Sequence, residues 1–262
     1  MIAVAEVSDP APAYSDSQYS APHCVVHGRA RSSRFQRDGY SLWRVLGNFE
    51  ADTELHWDTE HGDEALFVLT GALDVDGTAI TQGSTLIVEA GVQTIVRSLG
   101  STQVVHFGPS SSTLPGNELL AEATTDERGL HVARTKDAPT IYTDDGLLVT
   151  YFSDGTCPTC RIAFFLVDGS GLSDGYSASS HLHSEDEIIH VLEGELRVGR
   201  MTVAAGVSIA IPANLRYSFR TSQPFRFLNY RADASTILLK PGTEPLFETV
   251  ENLTGKGVAR PD

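Results

Sequence analysis

The sequence predicts an all-β protein made of two copies of one β-unit. Three observations carry this: short apolar runs bounded by turn residues, an internal repeat, and a scarcity of helical periodicity. The runs include "YSLWRVLGNF", "EALFVLTGALDV", "STLIVEAG" and "TQVVHFG", then "GLLVTYF", "RIAFFLVDG", "EIIHVLEGELRVG", "VSIAIPANLRYSF" and "FRFLNYRA". Each is rich in Val, Ile, Leu, Phe and Thr and ends in Gly, Asp, Asn or Pro, which predicts short strands with tight turns in a sandwich or barrel. The best helix candidate is "GNELLAEAT", residues 116–124.

The repeat has an offset of 123 residues: "DEALFVLTGALDV" from Asp63 and "DEIIHVLEGELRV" from Asp186 agree at seven of thirteen positions. The register runs on without a gap to Gly83 and Gly206, and backwards it sets "CVVHG" from Cys24 on "LLVTY" from Leu147. An unbroken register over several strands and turns is not what two unrelated β-segments produce. The expected organisation is an arm at 1–22, a first barrel at 23–110, a linker at 111–146, a second barrel at 147–233 and a tail at 234–262.

Composition narrows the partners. A formal net charge of −15 disfavours nucleic acid and anionic membrane surfaces. No apolar run approaches the roughly 20 residues of a membrane span. The first residues lack a basic region and a long apolar run, so they read as an arm rather than a secretion signal. Three cysteines argue against a disulfide framework, and the expected setting is a reducing cytoplasm. The expected partner is a small molecule, and exposed barrel edges make a homodimer conceivable.

The chemistry concentrates in "GYSASSHLHSEDEIIHVLEG". His181 and His183, one residue apart on a strand, point to the same side, and Glu187 follows after a polar turn. Two imidazoles and a carboxylate from adjacent strands make a set that binds a divalent metal and leaves coordination positions open. Burying such groups without partners costs roughly 2–7 kcal/mol each.

These residues resemble the cupin superfamily, and the repeat makes the chain similar to a bicupin. Gly175, His181, His183, Glu187 and Gly194 meet every position of the first cupin motif, G-x5-H-x-H-x3-E-x6-G. Of the second motif, G-x5-P-x-G-x2-H-x3-N, Gly206 and Pro212 match, while Asn214, Tyr217 and Thr221 replace the glycine, the histidine and the asparagine. The resemblance implies two tandem cupin domains, each a jelly-roll β-barrel, and one divalent transition metal per chain held by His181, His183 and Glu187. Fe(II) is the favoured ion, with Mn, Ni or Zn as others. It implies an enzyme, first an Fe(II) dioxygenase acting on a small organic acid. A non-oxidative isomerase, lyase or hydrolase and a non-catalytic ligand-binding cupin are the alternatives.

Tyr217 stands where the family has a fourth ligand, and its phenol titrates near 10 in model peptides. It is assigned as a catalytic residue that orients or protonates a bound intermediate. Ligation as phenolate and a pocket with weak metal affinity remain open. Arg226 and Tyr230 are the substrate-binding candidates, with Arg231 on the same strand, because a guanidinium suits a substrate carboxylate. The first copy carries Asp58, Glu60 and Glu64 at the ligand positions and Thr94 at the motif histidine, so it reads as a barrel without a working metal site. His106 and His190 read as structural. "TCPTC" places Cys157 and Cys160 on a hairpin turn, and zinc there needs two further ligands.

Overall fold

The computed structural model describes residues 3–4, 15–16, 19–111, 128–143, 145–172 and 175–254. The helix expected at 116–124 lies outside the described residues, as do most of the arm and part of the linker. Among the described residues the chain is almost entirely antiparallel strand, with one short helix at Val250–Thr254. No described helix is long and apolar enough to cross a membrane.

The chain divides into two units, Asp9–Asp137 with Pro158–Cys160, and Met1–Ser8 with Ala138–Cys157 and Arg161–Asp262. In the first, a seven-stranded sheet runs in the order Leu130–Arg134, Ser84–Val88, Glu64–Thr70, Thr102–Pro109, Leu42–Phe49, Arg29–Gln36, Ser15–Asp16. A five-stranded sheet contains Cys24–His27, Glu54–Trp57, Thr94–Ser98, Ala72–Val75 and Thr78–Thr81. Alternation turns Leu55 and Trp57 inward, where they share one core with Trp43, Val45, Leu66, Val68 and Leu86. Each fully buried side chain of this kind stabilises the fold by roughly 1.5–3 kcal/mol.

The second unit repeats this plan. Its large sheet orders Ala3–Val4, Ser208–Ile211, Glu187–Glu193, Arg226–Arg231, Ala163–Asp168, Leu148–Asp154 and Thr140–Tyr142. A four-stranded sheet of Tyr176–Ser177, Phe219–Thr221, Glu195–Val198 and Met201–Ala204 supplies Leu196, Val198 and Phe219 to a core with Phe165, Ile189, Val191 and Phe227. A further small sheet pairs Leu182–His183 with Thr236–Leu238 and then Leu246–Phe247. Residues after 233, expected as a tail, thus form part of this unit's wall.

Two turns explain why glycine recurs at the offset of 123. Gly71 and Gly194 have φ of 80° and 73°, and an added Cβ meets the Ser101 carbonyl oxygen at 2.4 Å and that of Pro224 at 2.2 Å. Both the left-handed backbone and the close approach require glycine. One register expectation fails. Leu148–Asp154 occupies the sheet position of Arg29–Gln36, whereas Cys24–His27 lies in the other sheet. The loop before the next strand is longer in the second copy, at 155–162 against 37–41, so a constant offset misaligns everything before it.

Candidate active site in the C-terminal barrel

His181 and Tyr217 face each other across two strand ends, each backbone N–H donating to the other's carbonyl at 2.9 Å. His183 accepts from the Asn214 N–H at 2.7 Å. Asn214, at the motif's glycine position, has φ of 60°, a conformation that asparagine tolerates better than most side chains, so the turn survives the replacement. Asp186 accepts from the Ala213 N–H at 2.8 Å, which ties the start of Glu187–Glu193 to the same turn.

The hydrogen bonds set both imidazole tautomers. His181 Nδ1 lies 2.6 Å from the Ser179 carbonyl oxygen, which can only accept, so Nδ1 carries the proton and Nε2 keeps a lone pair. His183 Nδ1 donates to Glu248 at 2.8 Å, which likewise leaves Nε2 as the acceptor. A second nitrogen anchored to a carbonyl or carboxylate is the arrangement that orients metal-binding histidines. Glu187 completes the set, accepting from Asn229 at 2.7 Å and from the Tyr217 hydroxyl.

Arg231 is the group the motif does not announce. Its Nη2 donates to Glu187 Oε2 at 3.2 Å and to His183 Nε2 at 3.2 Å, its Nη1 binds Glu248, and its guanidinium lies over the Phe165 ring at 5.3 Å. Arg231, Glu187, His183 and Phe165 are buried, and Glu248 is mostly so, its side chain 11% exposed. Burial alone disfavours every charge here, but mutual pairing reverses it for the acids and for Arg231. Arg231 is held protonated by Glu248 and Glu187 against its desolvation. Glu248, likewise against desolvation, is held down at about 2 by Arg231 and His183. Glu187 is held below the usual carboxylate range by His183 and Arg231. Burial and the neighbouring His183 lower His181 and favour its neutral, ligating form. Burial and then Glu187 push Tyr217 well above its ordinary value, which favours the protonated phenol that donates to Glu187.

His181, His183, Tyr217, Arg231 and Glu248 line a cavity of about 470 Å³ whose walls include Val149, Phe165, Ile189, Phe227 and Leu246. Volumes of several hundred Å³ suit small organic ligands. Among the described residues, Arg231 Nε and Asn229 Oδ1 are buried polar atoms without a hydrogen-bond partner, and both residues line the cavity. The donor types suit a divalent ion, two imidazole lone pairs and a carboxylate; His183 Nε2 stands 3.9 Å from Glu187 Oε1, but the ligating atoms of His181, His183 and Glu187 do not all lie within 4.8 Å of one another. An ion there has to displace Arg231 from at least one ligand.

His181, His183 and Tyr217 line the cavity, and Glu187 is bonded to Tyr217, Asn229 and Arg231 beside it. Arg226 and Tyr230 do not line it. Alternation along Arg226–Arg231 sends Phe227, Asn229 and Arg231 to the cavity and the two candidates to the opposite face. There Arg226 pairs with Asp168 at 3.1 Å and Glu193 at 2.8 Å, and Tyr230 packs against Phe164. Arg231 was readable from that same alternation. Glu248 was not, because it follows a strand of only two residues, Leu246–Phe247, too short to show a pattern. His190 faces away and bonds Ser208 at 2.8 Å.

In the N-terminal unit Asp58 and Glu60 are exposed and only Glu64 is buried. Glu64 accepts from Trp57 at 2.7 Å and His106 at 2.8 Å, and His106 Nδ1 meets the Tyr19 hydroxyl at 2.9 Å. The three carboxylates therefore do not gather, and aromatic rings occupy the interior around His106. A different set of ligand-type side chains does gather: the ligating atoms of Glu89, His131, Cys157 and Cys160 all lie within 4.8 Å of one another, close enough to hold one divalent metal.

Residues 172–230 match the family model for the cupin domain. The fold is a tandem cupin. The E. coli protein Ylba, of family-model DUF861, is similar over 88% of this chain and 90% of its own, with 14% identity and a TM-score of 0.60. A putative glyoxylate-induced protein from Pseudomonas aeruginosa is similar over 85% and 93%, with 16% identity and a TM-score of 0.59. Oxalate decarboxylase from Bacillus subtilis is similar over 79% and 74%, with 15% identity and a TM-score of 0.58. No curated protein matches the chain in sequence. At these identities the likeness concerns the cupin fold, not an activity.

Proposed function

We propose that the second cupin barrel is a metal-dependent, non-oxidative enzyme, a lyase or isomerase acting on a small hydroxy or keto acid. The observation that carries this is a single constellation at one end of an apolar cavity: two imidazole lone pairs and Glu187, beside a buried guanidinium and a protonated phenol. His181, His183 and Glu187 hold the ion. When bound, it supplies Lewis acidity toward a carbonyl or carboxylate oxygen.

The chain's own groups do the rest. Arg231 recognises the substrate carboxylate, and its unpartnered Nε is a donor that such an oxygen can satisfy. Asn229 Oδ1, equally unpartnered, accepts from a substrate hydroxyl. Tyr217 donates its hydroxyl hydrogen to the oxygen on which negative charge develops, a role its raised pKa supports. The apolar walls exclude water and strengthen each of these interactions. Donors ringed around the metal-binding set favour charge stabilisation over the Fe(II) dioxygenase reading. Among similar structures, the Bacillus subtilis decarboxylase is named for oxalate and described with Mn(II) centres, which accords with a small acid.

The test is a screen of small hydroxy and keto acids with protein loaded separately with Mn(II), Zn(II), Ni(II) and Fe(II), following substrate loss and dissolved oxygen together. Turnover without oxygen uptake is expected. Turnover that consumes oxygen in step with substrate returns the dioxygenase, and binding without turnover returns the ligand-binding protein.

A further inference from the structure

We propose that the chain carries a second, structural metal site, a zinc-type centre formed by Glu89, His131, Cys157 and Cys160. The CxxC pair lacked two ligands in the sequence, and the fold supplies them. Glu89 directly follows Ser84–Val88, and His131 lies on Leu130–Arg134, the strand paired with it, where Ile87 faces His131. The Glu89 N–H donates to the Gly129 carbonyl at 3.2 Å, so the pairing carries Glu89 to the side of His131. Pro158–Cys160 belongs to the same unit as these two strands, and Cys157 immediately precedes it in the chain.

The geometry matches such an ion. All four ligating atoms lie within 4.8 Å of one another, and His131 Nε2 stands 2.7 Å from Glu89 Oε1. Zinc bonds of about 2.0–2.2 Å to nitrogen and oxygen and 2.3 Å to sulfur set tetrahedral ligand atoms about 3.3–3.8 Å apart, so this contact opens by several tenths of an ångström and any wider separation closes by up to about 1 Å. Glu89 is fully buried and Cys160 nearly so, while the His131 side chain is 45% exposed, which gives the ion an entry path. Glu89 is orientated from behind, its Oε2 accepting from the Gly129 N–H at 2.6 Å and its Oε1 from the Thr159 hydroxyl. Cys157 and Cys160 are thiols, not a disulfide. Each releases one proton on binding, and the two thiolates and Glu89 supply negative charge to a divalent cation. Four protein ligands leave no open position, so the ion fastens the 157–160 loop and performs no chemistry.

The test uses Co(II) and Zn(II) on the full chain, reduced and freed of metal by chelation. Thiolate-to-cobalt charge-transfer absorption reports this centre alone, because the set of His181, His183 and Glu187 contains no sulfur. The band is expected in the parent and in the His181→Ala/His183→Ala variant, and it is expected to vanish in Cys157→Ser/Cys160→Ser. If the double serine variant fails to fold, His131→Ala, at a half-exposed side chain, is expected to weaken zinc binding by at least about tenfold. Zinc is also expected to protect both thiols from alkylation in the parent. No charge-transfer band, equal alkylation with and without zinc, or unchanged zinc affinity in His131→Ala overturns the proposal. Because the His181→Ala/His183→Ala arm lacks the barrel-2 ligands, failure here is distinguishable from failure of the proposed enzyme.

Discussion

Arg231 and Glu187 form a fully buried ion pair, Nη2 to Oε2 at 3.2 Å, at the point where a cupin metal is expected. The guanidinium therefore competes with any metal for Glu187 and for His183 Nε2. Arg231→Gln should separate the two roles of this cation. Removing it leaves Glu187 and Glu248 without their principal counter-charge, and breaking a buried pair costs about 3–5 kcal/mol. Metal affinity should rise, because the competitor is gone. The check is denaturant unfolding of the metal-free variant alongside a metal titration. A less stable variant with unchanged or weaker metal affinity shows that Arg231 does not compete.

Glu248 should control metal affinity without touching the ion. It accepts the Nδ1 proton of His183 and so holds Nε2 as the lone pair facing inward. Glu248→Gln can still accept a hydrogen bond but no longer balances Arg231, whereas Glu248→Ala removes both functions. Loss of such an orienting partner typically weakens metal binding by about 10–100-fold. The expected order of affinity is parent, then Gln, then Ala, measured by competition with a chromophoric chelator. Equal affinity in all three shows that His183 is orientated by packing alone.

The two barrels were legible because the repeat acts on structure pair by pair. Asp63 accepts from Ala90 at 2.7 Å as Asp186 does from Ala213 at 2.8 Å, and Glu64 meets His106 as Glu187 meets Asn229. The histidine pair was legible from period-two alternation, and the same alternation, followed through Arg226–Arg231, selects Arg231 over Arg226 and Tyr230. Glu248, and the joining of Glu89 and His131 to the CxxC pair, were not legible. They depend on how separate segments return to one another, which strand periodicity does not encode.

In the N-terminal barrel, His106→Ala should destabilise the fold without changing metal content at the C-terminal barrel. The imidazole bridges Glu64 and the Tyr19 hydroxyl in a completely buried network. Its loss leaves the Tyr19 hydroxyl without this partner, at about 1–3 kcal/mol for an unsatisfied group, takes one of two donors from Glu64, which keeps Trp57, and opens a cavity besides. Neutralising Asp58 and Glu60 should by contrast change little, since both are exposed. Thermal melts of His106→Ala and of Asp58→Asn/Glu60→Gln test this. A larger loss in the exposed pair than in His106→Ala contradicts the assignment.

Tyr217 gives the sharpest test of the enzyme reading. Its hydroxyl donates to Glu187, and its backbone is locked to His181 in both directions at 2.9 Å. Tyr217→Phe keeps the ring and the backbone pair and removes only the hydroxyl. Stability should fall by about 1 kcal/mol, the net worth of one hydrogen bond. Metal should stay bound, because a protonated phenol is not a ligand. Turnover of whichever acid proves active should slow by about 10²–10⁴-fold, the usual contribution of a positioned proton donor, with little change in KM. Tyr217→His places a third imidazole beside His181 and should tighten metal binding while closing a coordination position that substrate needs. Loss of metal in the Phe variant would identify Tyr217 as a direct ligand. Unchanged turnover would leave it as a wall of the cavity, and the proton would then have to come from elsewhere.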